Sequence, residues 1–322
     1  MFHVKHSIIR AFSTFVSRET FLCRFLRKRT KASKNKQKDI DKPRSMGYNV
    51  LSASALNTKT QRGAVKMGNL AKIIAFSNQK GGVGKTTSAV NIAAWLGKKG
   101  KKVLLCDLDA QGNATSGVGI SKKNSDKTIY EVISGICPAS ETVIQTEFKN
   151  LWVIPSNMSL AGAEPELVDE EDRVYKLKNA IEPLKEQFDY IIIDCPPSLG
   201  LLTLNALAAA DGVIIPMVCE YYALEGLSQL SVTLRQVKKL YNKDLDITGI
   251  LITMYDKRLN LSKSVLEEIK KYYKDQLFKE TVSRNVRLCE APSYGQPVMY
   301  YDKHSRGAAS YEKITAELIK RI

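Results

Sequence analysis

The sequence has few of the residues from which metal sites and nucleophilic triads are built. Only three of its 322 residues are histidine, and His304 is the only one beyond position 6. The six cysteines form no C-x-x-C pair, and several lie in apolar runs such as LLCD and IIIDC. A histidine-rich metal site or a Ser-His-Asp triad is therefore not expected, and the cysteines are interpreted as reduced, buried residues of a cytosolic protein.

Long apolar runs are missing as well, since no segment reaches the roughly 18 to 20 apolar residues of a membrane span. Negative charge is scarce only at the start of the chain. Residues 1–66 hold 16 Lys and Arg against three acidic residues, whereas the remainder holds 33 against 30. The formal net charge of +16 thus belongs mainly to the first 66 residues.

Within that basic start, segment 24–44 is polar and without apolar period, so it is predicted to be disordered. One interpretation is an organelle transit peptide, because the region is rich in arginine and poor in acids. Another is a basic arm that adds non-specific affinity for DNA phosphates. A strand pattern begins directly after Met67, so we expect a disordered basic extension over 1–66 and a folded domain over 67–322.

From position 72 onward, short apolar runs rich in β-branched residues alternate with helical patterns. This alternation predicts an α/β fold, a doubly wound and mostly parallel sheet with helices on both faces. Strands are predicted at 72–77, 102–107, 151–155, 190–194, 212–217 and 247–253. Helices are predicted at 86–98, 168–187, 201–209, 223–241, 262–273 and 306–322.

A glycine-rich segment, KGGVGKTT at 80–87, separates the first predicted strand from the first helix. A full G-x-x-x-x-G-K-[ST] loop would need glycine where Gln79 stands, so the segment fits the deviant form K-G-G-x-G-K-[ST]. Glycines let backbone N–H groups face phosphate oxygens, and the helix directs its positive end at the same charge. The alternative is a turn that only joins strand to helix. The predicted nucleotide-binding residues are Lys80, Gly81, Gly82, Val83, Gly84, Lys85, Thr86 and Thr87.

Further side chains suit ATP and Mg²⁺ as cofactors. Lys85 can bridge the terminal phosphates, and the Thr86 hydroxyl can ligate Mg²⁺. Asp194 ends the apolar run YIIID, where a carboxylate at the carboxyl edge of a buried parallel strand can hold the water shell of Mg²⁺. Asp107 and Asp109 follow another predicted strand; for both, the alternative is a helix-cap or turn role.

The ordered motifs KGGVGKTT, DLDAQGNATSG, YIIIDCPPSLG, EYYALEGLSQL and RNVRLCEAPSYGQPV, with YDKHSRGA after them, resemble the ParA/Soj partition ATPases. The likeness runs from about position 73 to the end of the chain and identifies it as a deviant Walker A P-loop NTPase. Two departures concern loop stiffness. In the family, proline is frequent at the two positions that Ala110 and Ser283 occupy here.

This resemblance implies that Lys80 reaches across a dimer interface to the partner's nucleotide. It also implies that Asp109 positions or activates the attacking water while Asp107 supports the loop. Lys80, Asp109 and Lys85 are thus the expected catalytic residues of a slow ATPase. The implied ATP-bound sandwich dimer binds DNA non-specifically and is released on hydrolysis, which a ParB-type centromere-binding partner stimulates. The expected location is the cytoplasm, at the nucleoid.

An alternative from the same resemblance is a regulator of replication initiation or of sporulation-type transcription, with little turnover. Other relatives fit less well. Nitrogenase iron-protein and Mrp-like members need cluster-binding cysteines, and a dethiobiotin-type ligase would lack EYYALEG and RNVRLCEAP. MinD-type members end in a membrane-binding helix, whereas Ile314, Leu318 and Ile319 here predict a core-facing stripe and no membrane partner.

DNA contacts are inferred partly from helical spacing and partly from the resemblance. In the helix predicted at 223–241, the apolar positions face the core and turn Arg235 elsewhere, and the resemblance places a non-specific DNA contact there. Such phosphate contacts are independent of sequence and depend on salt. For any one lysine, the alternative is an ordinary solvated side chain. Further candidates on the same dimer face are Lys257, Arg258, Lys263, Arg284 and Arg287.

The family suggests a third origin for residues 1–66. The hexapeptides MFHVKH at 1–6 and FVSRET at 15–20 can both be encoded by DNA that contains TGTTTCACGTGAAACA. This palindrome resembles the centromere site of the ParB-type partner, and it favours a chromosome as the cargo. The hypothesis is that the extension is upstream DNA translated from an early start codon, with Met67 near the true start. Different codons in the gene would reject it.

Overall fold

The computed structural model describes residues 70–123 and 125–322. The extension over 1–66, with its predicted disorder and its proposed origin in upstream DNA, lies outside the described residues, as does the boundary expected at Met67. Within the described part, the chain is organised around one seven-stranded sheet.

The sheet has the strand order β3-β4-β2-β5-β1-β6-β7, and only the β3–β4 pair is antiparallel. Its six longer strands lie within one residue of the predicted bounds. Strand β3 was not predicted, because two residues are too few to show a pattern. The strands are β1 Lys72–Phe76, β2 Val103–Asp107, β3 Ile144–Gln145, β4 Leu151–Ile154, β5 Tyr190–Asp194, β6 Gly212–Val218 and β7 Asp246–Thr253.

The central strands are covered on both faces, and β2 and β5 are buried at every position. Continuous apolar runs are typical of parallel strands between two helical layers. The prediction of a doubly wound α/β sheet is therefore confirmed. Strand β1 lies between β5 and β6, with the earlier strands β2 to β5 on one side of it and the later strands β6 and β7 on the other. The strand order therefore reverses at β1. In such sheets ligands bind at the carboxyl ends of the strands beside this reversal.

Helices connect the strands, and the helices at 85–98 and 306–321 pack together on the core. The predicted helices at 86–98, 201–209, 223–241, 262–273 and 306–322 are confirmed within two residues. The helices are α1 Lys85–Lys98, α2 Asn113–Gly117, α3 Ile129–Ile133, α4 Ala163–Glu166, α5 Lys176–Ile181, α6 Leu201–Ala209, α7 Ala223–Leu240, α8 Asn260–Tyr273, α9 Val286–Glu290, α10 Val298–Tyr301 and α11 Arg306–Arg321.

The helix predicted at 168–187 is wrong over most of its length. Only α5 is α-helical there, and a 3₁₀ turn at Glu182–Leu184 follows it. Pro183 has no N–H to continue the α-helical hydrogen bonds, so α5 ends before it, although Glu182 keeps a helical backbone. In the acidic run at 169–172, Asp169 and Asp172 are three positions apart and would repel each other on a helix surface.

The C-terminal helix α11 is part of the core. Ile314 and Leu318 are fully buried, Ile319 packs against the same cluster, and Tyr311 is almost fully buried. The predicted core-facing stripe is thus confirmed. The Arg321 guanidinium donates to three backbone carbonyl groups at the β7 edge, at 2.7 to 3.0 Å. Among the described residues, no helix is long and apolar enough to cross a membrane.

Candidate nucleotide-binding site

The loop between β1 and α1 depends on glycines with a left-handed backbone. Gly82 has φ +71° and Gly84 has φ +83°, conformations that L side chains rarely adopt. Within the described residues, no side chain caps the amino end of α1. The first N–H groups of the helix are therefore available to a ligand, and its positive end favours an anion.

Lys85 is the first residue of α1 and is only 7% exposed. Its Nζ donates to the carbonyl oxygen of Lys80 at 3.2 Å. Burial lowers the pKa of Lys85, while the negative charges of Asp194 and Asp109 act to raise it. A partly desolvated ammonium group gains from an anionic ligand, so this position suits a phosphate contact.

Asp194 lies where three strand ends meet. It ends β5 and is in register with Phe76 on β1 and with Asp107 on β2. The residue is fully buried, and both carboxylate oxygens lack a hydrogen-bond partner among the described residues. Burial, and after it the negative charge of Asp107, raises the pKa of Asp194 well above its usual range. The nearby Thr86 hydroxyl and the positive charge of Lys85 act to lower this pKa.

A buried carboxylate without a donor requires a physical explanation, and an ion is one of the common ones. Mg²⁺ prefers oxygen ligands and is held in nucleotide sites by one or two protein groups together with phosphates and water. Asp194 and the neighbouring Thr86 hydroxyl supply such oxygens. The residues present therefore fit the predicted magnesium ion.

Asp107 and Asp109 differ sharply in their surroundings. Both the N–H and the Oγ1 of Thr115 donate to Asp107 at 2.7 Å, and Thr115 Oγ1 accepts from Ser156 N at 2.9 Å. Burial raises the pKa of Asp107 to about 6, although the Thr115 hydrogen bonds act to lower it. Asp109 is half-buried in the following loop, where Oδ1 accepts from Gln111 N at 2.9 Å. Asp107 thus anchors this loop to the sheet.

Lys80 lies on the outer rim of the site. Its Nζ forms an ion pair with Glu220, which follows β6, and the two side chains are 52% and 50% exposed. The N–H of Lys80 donates to Asn78 Oδ1 at 3.0 Å, and Asn78 Nδ2 donates to the Pro216 carbonyl at 2.8 Å. The backbone of Lys80 is therefore tied to β6, while its side chain reaches the surface.

Most of the candidate DNA-binding residues lie at the carboxyl end of β7. A parallel bridge between Tyr255 and Ser283 brings the segment after β7 beside the segment before α9. One of the arginines there, Arg258, is paired with Asp256 at 2.7 Å. The exposed basic residues in this region are Lys257, Arg258, Lys263, Arg284 and Arg287.

The charges of these candidates are not equally available. Arg287 pairs with Glu290 at 2.8 Å and with Asp302 at 3.3 Å, whereas Arg284 makes no ion pair within the described part of the chain. Arg235 is exposed on α7 but lines a cleft beside the amino ends of β6 and β7. The structure therefore places it at the opposite end of these strands from the other candidates, so one protomer does not present them as a single patch.

Sequence reasoning missed three residues that contact the predicted site: Glu220, Thr115 and Thr253. Glu220 pairs with Lys80, Thr115 holds Asp107, and Thr253 lies against the glycine loop. Glu220 and Thr253 occur at the carboxyl ends of β6 and β7, where parallel sheets gather ligand-binding groups. That position was the only signal for Thr253, whereas Glu220 and Thr115 lie within the motifs EYYALEGLSQL and DLDAQGNATSG.

The chain is similar to known proteins in sequence and in fold. The model of a family described as an AAA domain matches residues 71–247. The chromosome partitioning protein ParA of Myxococcus xanthus is 52% identical, over 81% of this chain and 92% of the relative. The sporulation initiation inhibitor protein Soj of Bacillus subtilis is 54% identical, over 77% of this chain and 98% of the relative. The chain belongs to the ParA/Soj family.

As a ParA/Soj member, the protein is a P-loop ATPase of the partitioning type. A solved structure agrees with this fold, that of cobyrinic acid a,c-diamide synthase from Mycobacterium smegmatis with bound ADP and magnesium. It matches with a TM-score of 0.69 and 36% identity, over 78% of this chain and 95% of that one. The higher identities to ParA and Soj favour partitioning over amide synthesis.

Proposed function

We propose that this ParA/Soj protein uses ATP and Mg²⁺ to switch between a free state and a DNA-bound dimer, and thereby partitions DNA. The observation that carries the proposal is the buried Asp194 carboxylate without a hydrogen-bond donor among the described residues, at the sheet edge that bears the glycine loop. The ADP and magnesium in the solved structure support these ligands. The names of the two relatives support the role.

The proposed binding step uses groups that are already in place. Amides of the glycine loop and of the first turn of α1 hold the phosphate oxygens. The partly desolvated Lys85 ammonium group contributes positive charge at the terminal phosphates, where the low local dielectric strengthens the interaction. Magnesium, when held through Asp194 and Thr86, would neutralise charge that develops on the phosphates.

The proposed hydrolytic step depends on Asp109. One of its carboxylate oxygens accepts from Gln111 N, which leaves the other to accept from a water molecule. A carboxylate in this position orients the water for attack on the γ-phosphorus. Asp107 does not contact the water in this proposal. It keeps the loop in place through the Thr115 hydrogen bonds.

The proposed dimer forms when Lys80 exchanges Glu220 for the nucleotide of a second copy. This exchange is feasible because an ion pair between two half-exposed side chains is weak. The dimer doubles the exposed basic groups, and the affinity for DNA rises because simultaneous phosphate contacts reinforce one another. Loss of the γ-phosphate removes the contact that favours the dimer, so the DNA-bound state decays.

Two further features complete the proposal. A ParB-type centromere-binding partner accelerates hydrolysis, and the protein resides at the nucleoid in the cytoplasm. The second candidate function is a nucleotide-dependent regulator with little turnover. It is favoured by one observation, the name of the Soj relative as an inhibitor of sporulation initiation.

The dimer is tested with the full chain in ATP and Mg²⁺, by light scattering after size exclusion. We expect the wild type to double in mass and Lys80→Ala to bind ATP but stay monomeric. Lys98→Ala, at the exposed carboxyl end of the helix that follows the loop, is the matched control and should dimerise. ATP-dependent dimers of Lys80→Ala would show that the sandwich arrangement is wrong.

The two candidate functions are separated by phosphate release. Partitioning predicts slow turnover in the wild type that a ParB-type protein and DNA accelerate. It also predicts that Asp109→Ala loses hydrolysis while it keeps the ATP-dependent dimer and its binding to random-sequence DNA. A regulator with little turnover predicts that phosphate release from the wild type stays at background with every addition.

A further inference from the structure

Thr253 has a contact with the glycine loop that no motif in the sequence indicates. It is the last residue of β7 and is 2% exposed. Its Oγ1 lies 2.8 Å from the carbonyl oxygen of Val83 and 3.1 Å from that of Met217. A hydroxyl has one proton to donate, and the shorter contact is the one to the loop.

The direction of the Val83 carbonyl group fixes the direction of the next N–H group. A trans peptide is planar, so the carbonyl of Val83 and the N–H of Gly84 point to opposite sides. Since the carbonyl is held toward β7, the N–H is turned away from the sheet edge and toward the mouth of the loop. Gly84 adopts φ +83°, a conformation that L side chains rarely adopt, and a Cβ there would make an ordinary contact with Thr253 Cγ2 at 3.5 Å.

We propose that Thr253 is a positioning residue for the triphosphate: it holds the Val83 carbonyl so that the Gly84 amide faces the nucleotide. The inference rests on the proposed ATP function. Without the hydroxyl, the Val83 carbonyl loses a buried donor, and a rotated 83–84 peptide becomes competitive. The rotated peptide presents a carbonyl oxygen to phosphate in place of an N–H, which repels the ligand instead of binding it.

The test replaces the hydroxyl without changing the shape of the side chain. Thr253→Val keeps the Cγ2 contact and removes the donor, and Thr253→Ser keeps the donor. Thr142→Val is the matched control, because Thr142 is equally buried and donates to the Ala139 carbonyl at 2.8 Å. It precedes β3, at the opposite edge of the sheet from β7.

Equilibrium titration of the full chain with fluorescent ATP and ADP gives the affinity. We expect Thr253→Val to bind both nucleotides roughly 5- to 150-fold more weakly, the range for a lost hydrogen bond that leaves a buried acceptor unsatisfied. Thr253→Ser and Thr142→Val should stay within about twofold of wild type. In steady state the KM of Thr253→Val should rise more than its kcat falls, since Thr253 does not touch the reacting atoms.

Thermal unfolding without nucleotide separates positioning from general damage. Both valine variants should lose similar stability, and only Thr253→Val should lose affinity. Equal affinities of Thr253→Val and wild type would overturn the inference, as would an equal loss in Thr142→Val. A wild type that binds no ATP at all would instead overturn the proposed function.

Discussion

Replacement of Asp194 by asparagine should make the nucleotide-free protein more stable while it removes magnesium-dependent nucleotide binding. The wild-type carboxylate is fully buried without a hydrogen-bond donor within the described chain, and Asp107 adds repulsion. An amide has nearly the same shape and removes the buried charge. The amide keeps a buried acceptor oxygen, so the gain comes from the lost charge: removal of an unpaired buried charge contributes about 1–3 kcal/mol, and in a domain of this size that raises the Tm by roughly 2 to 12 °C.

The gain should depend on pH in a definite direction. Burial raises the pKa of Asp194 above its unfolded value, so the folded state holds its proton more tightly than the unfolded state does. The associated stability is present below the unfolded pKa and is lost as pH rises through the folded one. The advantage of Asp194→Asn over wild type should therefore be larger near about pH 7.5 than near about pH 4.5.

The assay is thermal unfolding of the full chain by circular dichroism at both pH values, without nucleotide or metal. Asp189→Asn is the matched control, because Asp189 directly precedes the amino end of the same strand. Asp189 is exposed and accepts from Lys102 N at 2.7 Å, so its replacement should give no gain. A Tm of Asp194→Asn at or below that of wild type would refute the reasoning about the buried charge.

Three other predictions concern the loop, a turn and the DNA surface. Lys85→Ala should abolish ATP binding in equilibrium titration without preventing folding. Gly295→Ala should lower the free energy of unfolding by about 1–3 kcal/mol in urea titration, because Gly295 has φ +64° and a Cβ would lie 2.9 Å from the Gly119 Cα. Gly226→Ala, in open space on α7, should instead raise this free energy by about 0.5–1 kcal/mol. Arg284→Ala should weaken ATP-dependent DNA binding and reduce its salt dependence by about one charge. Arg287→Ala removes a cation that is already paired, so it should change the affinity and its salt dependence less. A larger effect of Arg287→Ala than of Arg284→Ala would contradict the argument from the ion pairs.

The fold was accessible from sequence because its signals are local. Continuous apolar runs located the six longer strands, and eight contiguous residues located the glycine loop. The failure at 168–187 also concerns local signals, because Pro183 and the acidic run at 169–172 lie within the predicted segment. The bounds of the longer strands follow from residues that are neighbours in the chain, and so does the interruption of the predicted helix at 168–187.

The site itself was only partly accessible, because its supporting contacts join distant residues. The Thr253–Val83 hydrogen bond spans 170 positions and the Lys80–Glu220 pair spans 140. No spacing rule connects such residues before the strand order is known. The position of Arg235 shows the same limit: its exposure followed from helical spacing, but its distance from the other basic residues depends on the direction of α7 across the sheet.

The surface location of the Lys80–Glu220 pair has a consequence for kinetics. Half-exposed ion pairs contribute roughly 0.2–1 kcal/mol, so release of the lysine would slow association by no more than about fivefold. In the proposed dimer, the rate at which two ATP-loaded copies join should therefore be set by diffusional collision and not by release of the lysine. Added salt should shorten the residence on DNA, whereas the rate of subunit pairing should change by no more than about fivefold in the same titration.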